Sequence, residues 1–150
     1  MNAEPCTYVI YGSTGNLSRI KLMPALYHLD AANQLPEGTK IIAIGRRPWD
    51  QATWLKELRD MIEQKVKSEF NEHVFKRFAE RFYYHRGDLH EAEAYSALAE
   101  LINSPEQQFS KNIAFYLSIS PADFAQVLEL LSANQLFAEE YGWRRVIIEK

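Results

Sequence analysis

The chain carries one cysteine, Cys6, in 150 residues, so it can form no disulfide within itself, which agrees with a reducing compartment. Standing at the head of an apolar run, Cys6 reads as a small buried hydrophobe rather than a reactive thiol. No apolar run approaches the ~18 residues that cross a bilayer, and the opening MNAEPC lacks the basic-then-apolar order of a signal sequence. A cytoplasmic protein without a membrane partner is expected. Charge of one sign is lacking too: 17 basic residues are scattered among 20 acidic ones, for a net charge of -3, which leaves no basic face for nucleic acid. There is no Walker-type lysine, no G-x-S-x-G elbow and no C-x-x-C pair. The four histidines, His28, His73, His85 and His90, have no metal-ligand spacing, so no metal site is expected and they read as scattered surface or helix residues.

What remains is an ordinary mixture, 47% hydrophobic and 25% charged, enough for a single domain with a sizeable core over residues 1–150. It is organised around Tyr8–Leu26, YVIYGSTGNLSRIKLMPAL. A short apolar run meets Gly12 and Gly15 and passes into a helical pattern with Leu17, Leu22 and Leu26 near one face, which predicts strand, tight turn and helix. Glycine enters such a turn cheaply and lets an anion approach the backbone, while the helix start offers unpaired N–H groups and the positive end of its dipole. The spacing is G-x-x-G-x-x-S, with Ser18 where a dinucleotide fingerprint has its third Gly or Ala.

The turn cluster Asn33–Thr39 closes this helix, and the continuous apolar run Ile41–Ile44 predicts a strand buried on both faces. Strand, helix and strand make the βαβ unit that the fingerprint requires. The second strand runs into Gly45, Arg46 and Arg47 with no carboxylate before Asp50. A carboxylate there reads the ribose 2′-OH of NAD, whereas arginine accommodates the 2′-phosphate of NADP, so the pair favours NADP over its plain alternative, two solvated loop arginines.

Trp54, Leu58, Met61, Ile62 and Val66 define a long amphipathic helix that Asp50 is placed to cap, and Val74, Phe75, Phe78 and Ala79 define a second helical piece. Phe82–His85 reads as a third strand ending at Gly87. Asp88 and Leu89 then either border an adenine or form a turn and cap for a helix Glu91–Ile102. A fourth strand, Ile113–Ile119, leads through Ser118, Ser120 and Pro121 to a helix Phe124–Leu136, with Pro121 suited to a helix entry. The loop Ser118–Pro121 falls beside the first turn if the strand order switches there, where a nicotinamide belongs. A fifth strand, Val146–Ile148, precedes Glu149 and Lys150, and a chain stopping at the functional edge of a sheet reads as cut short. The fold class is therefore α/β, a Rossmann-type doubly wound parallel sheet with helices on both faces.

Several segments, in order, resemble glucose-6-phosphate dehydrogenases. YGSTGNLSRIKLMPALYHL resembles their GASGDLAxRKLxPALxxL opening, IIAIGRRPW their second strand with its arginine, NIAFYLSISPADF their YLALPPxxF segment, and GWRRVIIEK their GWxRxIxEKPFG segment. The resemblance implies an N-terminal NADP-binding domain of an enzyme that oxidises glucose 6-phosphate to 6-phosphogluconolactone, in the pentose phosphate pathway. It places Gly12, Ser13, Thr14, Gly15, Asn16 and Leu17 at the coenzyme pyrophosphate, Arg46 with Arg47 at the 2′-phosphate, Asp88 and Leu89 near the adenosine, and Ser118 and Ser120 at the nicotinamide end. Lys21 and Lys150 match lysines near the sugar phosphate, with Lys150 also bordering the coenzyme. The family's catalytic histidine, in an H-Y-L-G-K motif, would lie beyond Lys150. No catalytic residue is therefore assigned in this chain, which is expected to bind coenzyme without turnover, and the parent is expected to be a homo-oligomer. Three positions depart from the family: Asn16 stands for Asp, Ile20 for a basic residue and Ser120 for the first proline of a pair. A non-catalytic NADP-sensing module is the rival reading, because the same binding physics serves it, and a purely structural domain is the third.

Overall fold

The computed structural model describes residues 4–148. Five apolar segments form its strands: β1 Thr7–Tyr11, β2 Lys40–Gly45, β3 Phe82–Arg86, β4 Ile113–Leu117 and β5 Arg144–Ile148. All pair in parallel, in the order β3-β2-β1-β4-β5. The order reverses direction between β1 and β4, so the carboxyl ends of those strands open onto a crevice. Alternate side chains supply two cores. Ile10, Ile41, Ala43, Phe82 and Tyr84 face the layer of α1 Met23–Ala31, α2 Gln51–Val66 and α3 Glu72–Ala79. Val9, Tyr11, Ile42, Ile44, Phe115 and Leu117 face α4 Ala92–Asn103 and α5 Phe124–Ala133. This is the doubly wound arrangement that the continuous apolar strands imply.

Local chemistry sets the ends of the elements. The carboxylate of Asp50 accepts from the Thr53 amide at 2.8 Å and caps α2. The side chain of Gln51 then folds over the free edge of β3, donating to the Phe82 carbonyl (2.8 Å) and accepting from the Tyr84 amide (2.7 Å). It fills the ladder positions that a further strand would otherwise take. Asn33, left-handed at φ 58°, follows the end of α1. In the last turn of α1, Asp30 is 1% exposed and is held by Arg77 (3.2 Å) and Arg81 (3.0 Å), while Arg81 also donates to the carbonyls of Leu35, Pro36 and Thr39. Cys6 is buried and reduced, and burial pushes its thiol up.

Several boundaries differ from the sequence reading. The first helix opens with a π-helical turn, Ser18–Leu22, closed by the Met23 amide on the Ser18 carbonyl. Pro24 has no N–H for the carbonyl four residues back and its ring crowds that carbonyl; the wider turn relieves the conflict. One added residue rotates the buried face, so Met23, Leu26, Tyr27 and Asp30 point inward while Leu17 and Leu22 are only half-buried. β4 stops at Leu117 rather than Ile119, because the Ser118 amide makes the last bond to Tyr11 (3.0 Å) before β1 turns away at Gly12. A 3-10 turn, Pro121–Asp123, precedes α5, which ends at Ala133 rather than Leu136, ahead of left-handed Gln135 at φ 56°. β5 begins two residues before Val146, yet Val146, Ile147 and Ile148 remain 38–45% exposed, with no helix laid over them.

Candidate functional site

The β1 turn is shaped by two close approaches. Gly12 adopts φ +82°, and a Cβ there would lie 2.0 Å from the Ser118 carbonyl oxygen. The β4 end therefore packs directly on the backbone of the turn, which only glycine permits in this conformation. A Cβ on Gly45 would lie 2.6 Å from Thr14 Cγ2, so the end of β2 leaves room for Thr14. The Gly15 amide closes the turn on the Gly12 carbonyl (3.0 Å), and the Arg19 amide reaches the Gly15 carbonyl (3.0 Å). Among the described residues, nothing accepts from the amides of Thr14, Asn16, Leu17 and Ser18. Bare donors at the opening of a helix are the groups an N-terminus leaves unsatisfied, and their chemistry suits an anion.

Around this turn a cleft is lined by Gly12, Thr14 and Gly15, by Ile44, Gly45 and Arg46, by Gly87 through His90, and by Ile119, Ser120 and Asp123. Its walls are thus the carboxyl ends of β1, β2, β3 and β4. Arg46 is exposed and its guanidinium has no carboxylate partner among the described residues. The turn carrying it is pinned by the Tyr84 hydroxyl, which donates to the Arg47 carbonyl at 2.7 Å. Below the cleft, Tyr95 stacks on Tyr11 with ring centroids 6.0 Å apart and donates to the Leu89 carbonyl at 2.9 Å. Burial, reinforced by the charges of Asp88 and Asp123, pushes the Tyr95 phenol up to about 12, so it stays neutral and serves as a fixed donor.

Of the residues expected from sequence, the structure brings Gly12, Thr14, Gly15, Arg46, Asp88, Leu89 and Ser120 onto one wall. Asn16 and Leu17 contribute bare amides. Ser13 is spent inside the turn, its amide on the Ile44 carbonyl (3.0 Å) and its hydroxyl on the Ile10 carbonyl (2.8 Å). Ser118 lies beneath the wall, 8% exposed, with its hydroxyl unpartnered, and Ser18 is likewise buried and unpartnered. Arg47 does not line the cleft. Lys21 is exposed on the π-helical turn, and Lys150 lies outside the described residues. Asp88 lines the cleft and accepts from the His90 amide at 2.8 Å within the turn before α4, whose N-cap residue is Glu91.

Sequence reasoning missed Gly45, Gly87, Ile119, Asp123 and His90. Most adjoin residues it named, so the strand ends were the available signal. His90, read as a scattered histidine, bridges two loops, with Nδ1 2.5 Å from Gln126 Oε1 and Nε2 3.8 Å from Asp123 Oδ1. The pairing spans 36 residues and leaves no trace in local spacing.

A doubly wound parallel sheet, with a glycine turn opening a helix at its switch point, defines a dinucleotide-binding α/β domain. Residues 9–150 match the family model described as glucose-6-phosphate dehydrogenase, NAD binding domain, and the chain belongs to that family. It is 37% identical to the glucose-6-phosphate 1-dehydrogenase of Chlamydia muridarum, over 97% of this chain and 30% of that protein. The crystal structure of glucose-6-phosphate 1-dehydrogenase from Mycobacterium avium superposes with a TM-score of 0.84 at 31% identity, over 98% of this chain and 30% of the other. A glucose-6-phosphate dehydrogenase in complex with its substrate glucose-6-phosphate gives the same TM-score at 28% identity and the same coverage. The chain thus spans about 30% of the length of the curated relatives it matches.

Proposed function

We propose that this chain binds NADP at the cleft and forms the coenzyme-binding part of an enzyme that oxidises glucose 6-phosphate to 6-phosphogluconolactone. One observation carries the reading: the turn whose unpartnered amides open a helix lines, through Gly12, Thr14 and Gly15, the same cleft as Arg46. The amides of Thr14, Asn16, Leu17 and Ser18 fit a diphosphate, aided by the helix dipole. Arg46 fits a 2′-phosphate, which a planar fork of donors grips better than a single ammonium. Asp88 and Leu89 take the adenosine side, and the Ser118–Ser120 loop takes the nicotinamide side.

NADP, when bound, supplies the hydride acceptor. The chain's own contribution is to bind and orient it. Gly12 and Gly45 hold the turn open, and Ile44, Leu89 and Ile119 give the cleft apolar surface. Lys21, on the turn that follows the amides, offers a cation to an anionic sugar phosphate, with Lys150 in the same role. No catalytic base is assigned to this chain, and the base histidine of the enzyme belongs to the portion its relatives have in addition. Calorimetric titration tests the reading. NADP is expected to bind at least about tenfold more tightly than NAD, the worth of one charge-assisted contact, and equal affinities would remove the role given to Arg46. Glucose 6-phosphate and NADP together are expected to give no NADPH, and measurable turnover would overturn the assignment of the base elsewhere.

A further inference from the structure

The cleft contains charge of the wrong sign for a dinucleotide, and one histidine stands between the groups that carry it. Asp88 and Asp123 line the wall from two different loops. His90 meets both: its amide donates to Asp88 Oδ1 at 2.8 Å and its Nε2 lies 3.8 Å from Asp123 Oδ1. Its Nδ1 faces the Gln126 carboxamide oxygen on α5 at 2.5 Å, an acceptor that suits the ring with hydrogen on Nδ1. In the neutral ring, Nε2 then turns a lone pair toward the Asp123 carboxylate. A proton on Nε2 converts this repulsion into an N–H aimed at an anion. Asp123 makes no capping hydrogen bond to α5, so its carboxylate is available for the pairing. Arg46, from the end of β2, lines the same cleft, and Glu91 follows His90 at the start of α4. Tyr95 on α4 is engaged with the Leu89 carbonyl.

We propose that His90 is a positioning residue of the coenzyme cleft. Its protonated ring offsets the charges of Asp88 and Asp123 and ties the β3–α4 loop to the start of α5, so dinucleotide affinity gains as pH falls. The proposal rests on the coenzyme reading above and adds to it a charge-compensating group that the amides and Arg46 do not supply. The His90 side chain is 58% exposed, so solvent protons reach it.

The test is calorimetric titration of the full chain and of His90→Gln with NADP, at pH 6 and at pH 8. The 2′-phosphate of the ligand itself gains a proton near pH 6, but equally for both proteins, so the ratio of their affinities isolates the histidine. That ratio is expected to be near one at pH 8 and about threefold to tenfold in favour of the unaltered chain at pH 6, the scale of one unit charge within a Debye length. His90→Arg, cationic throughout, is expected to bind at pH 8 about threefold to tenfold more tightly than the unaltered chain does there. Asp123→Asn is expected to tighten binding at pH 8. A ratio that does not change with pH would overturn the proposal while leaving the coenzyme site standing, as would weaker binding by His90→Arg at pH 8. No NADP binding at either pH would overturn the coenzyme reading itself, and this proposal with it.

Discussion

Replacing Gly12 with alanine probes the close packing on which the site depends. The residue sits at φ +82°, and its new Cβ would stand 2.0 Å from the Ser118 carbonyl oxygen. The left-handed backbone costs a non-glycine residue about 1–2 kcal/mol. Restoring an ordinary separation of ~3.5 Å requires the β4 end or the turn to move by more than an ångström, and overpacking of this kind costs about 1–3 kcal/mol. A central value of about 3 kcal/mol corresponds to a fall in Tm of about 6–12 °C in a domain of this size. The displaced turn also carries the Thr14, Asn16 and Leu17 amides out of line, so NADP affinity is expected to fall by more than about tenfold, since the loss of one charge-assisted bond suffices. Thermal unfolding followed by circular dichroism reads the first effect and calorimetry the second. Gly45→Ala is the control. Its Cβ would meet Thr14 Cγ2 at 2.6 Å, Thr14 Oγ1 at 3.0 Å and the Tyr84 hydroxyl at 3.1 Å, side-chain ends rather than backbone and without a left-handed φ, so its loss of stability should be smaller. A Gly12→Ala chain that melts within about 2 °C of the unaltered chain, less than 1 kcal/mol on the same scale, and binds NADP equally well would refute the reasoning.

Other substitutions separate binding from folding. Arg46→Ala should lower NADP affinity by about tenfold to a hundredfold and leave NAD affinity and Tm unchanged, as paired titrations would show, whereas Arg47→Ala, outside the cleft, should do little. Asp30→Ala leaves Arg81 without its carboxylate in a buried setting; urea unfolding should show a loss of about 3 kcal/mol, with coenzyme affinity of the folded protein intact. Hydrogen bonding from the Thr53 side chain, and then from its amide, holds the Asp50 carboxyl below its ordinary value. Its stabilisation is therefore present above the ordinary carboxylate range and lost as pH falls through it. Asp50→Asn should melt lower than the unaltered chain at pH 7, with the difference closing below about pH 4 in melts run across that range.

The sheet was legible in the sequence because its strands are runs of apolar residues buried on both faces, and the first turn because Gly12 and Gly15 bracket it. Legibility failed where structure depends on partners distant in sequence. Leu17, Leu22 and Leu26 read as one face of a regular helix, but the π-helical turn ahead of Pro24 shifted the buried face from Leu17 and Leu22 to Met23 and Tyr27. The end of β4 depended on where β1 turns away, which the apolar residue Ile119 does not reveal. Ser13 looked like a phosphate ligand within the motif, yet both its polar atoms are consumed by carbonyls of β1 and β2. His90 looked idle because its partners, Asp123 and Gln126, arrive with a helix that only the fold brings alongside.

The account stands on bare amides at the start of a helix, and amide-resolved NMR observes them directly. Titration of the isotopically labelled chain with NADP should shift the Thr14, Asn16, Leu17 and Ser18 amide resonances most strongly, with a second group of shifts at Arg46 and the residues from Gly87 to His90. Shifts confined to another face, with these four amides unmoved at saturation, would contradict it.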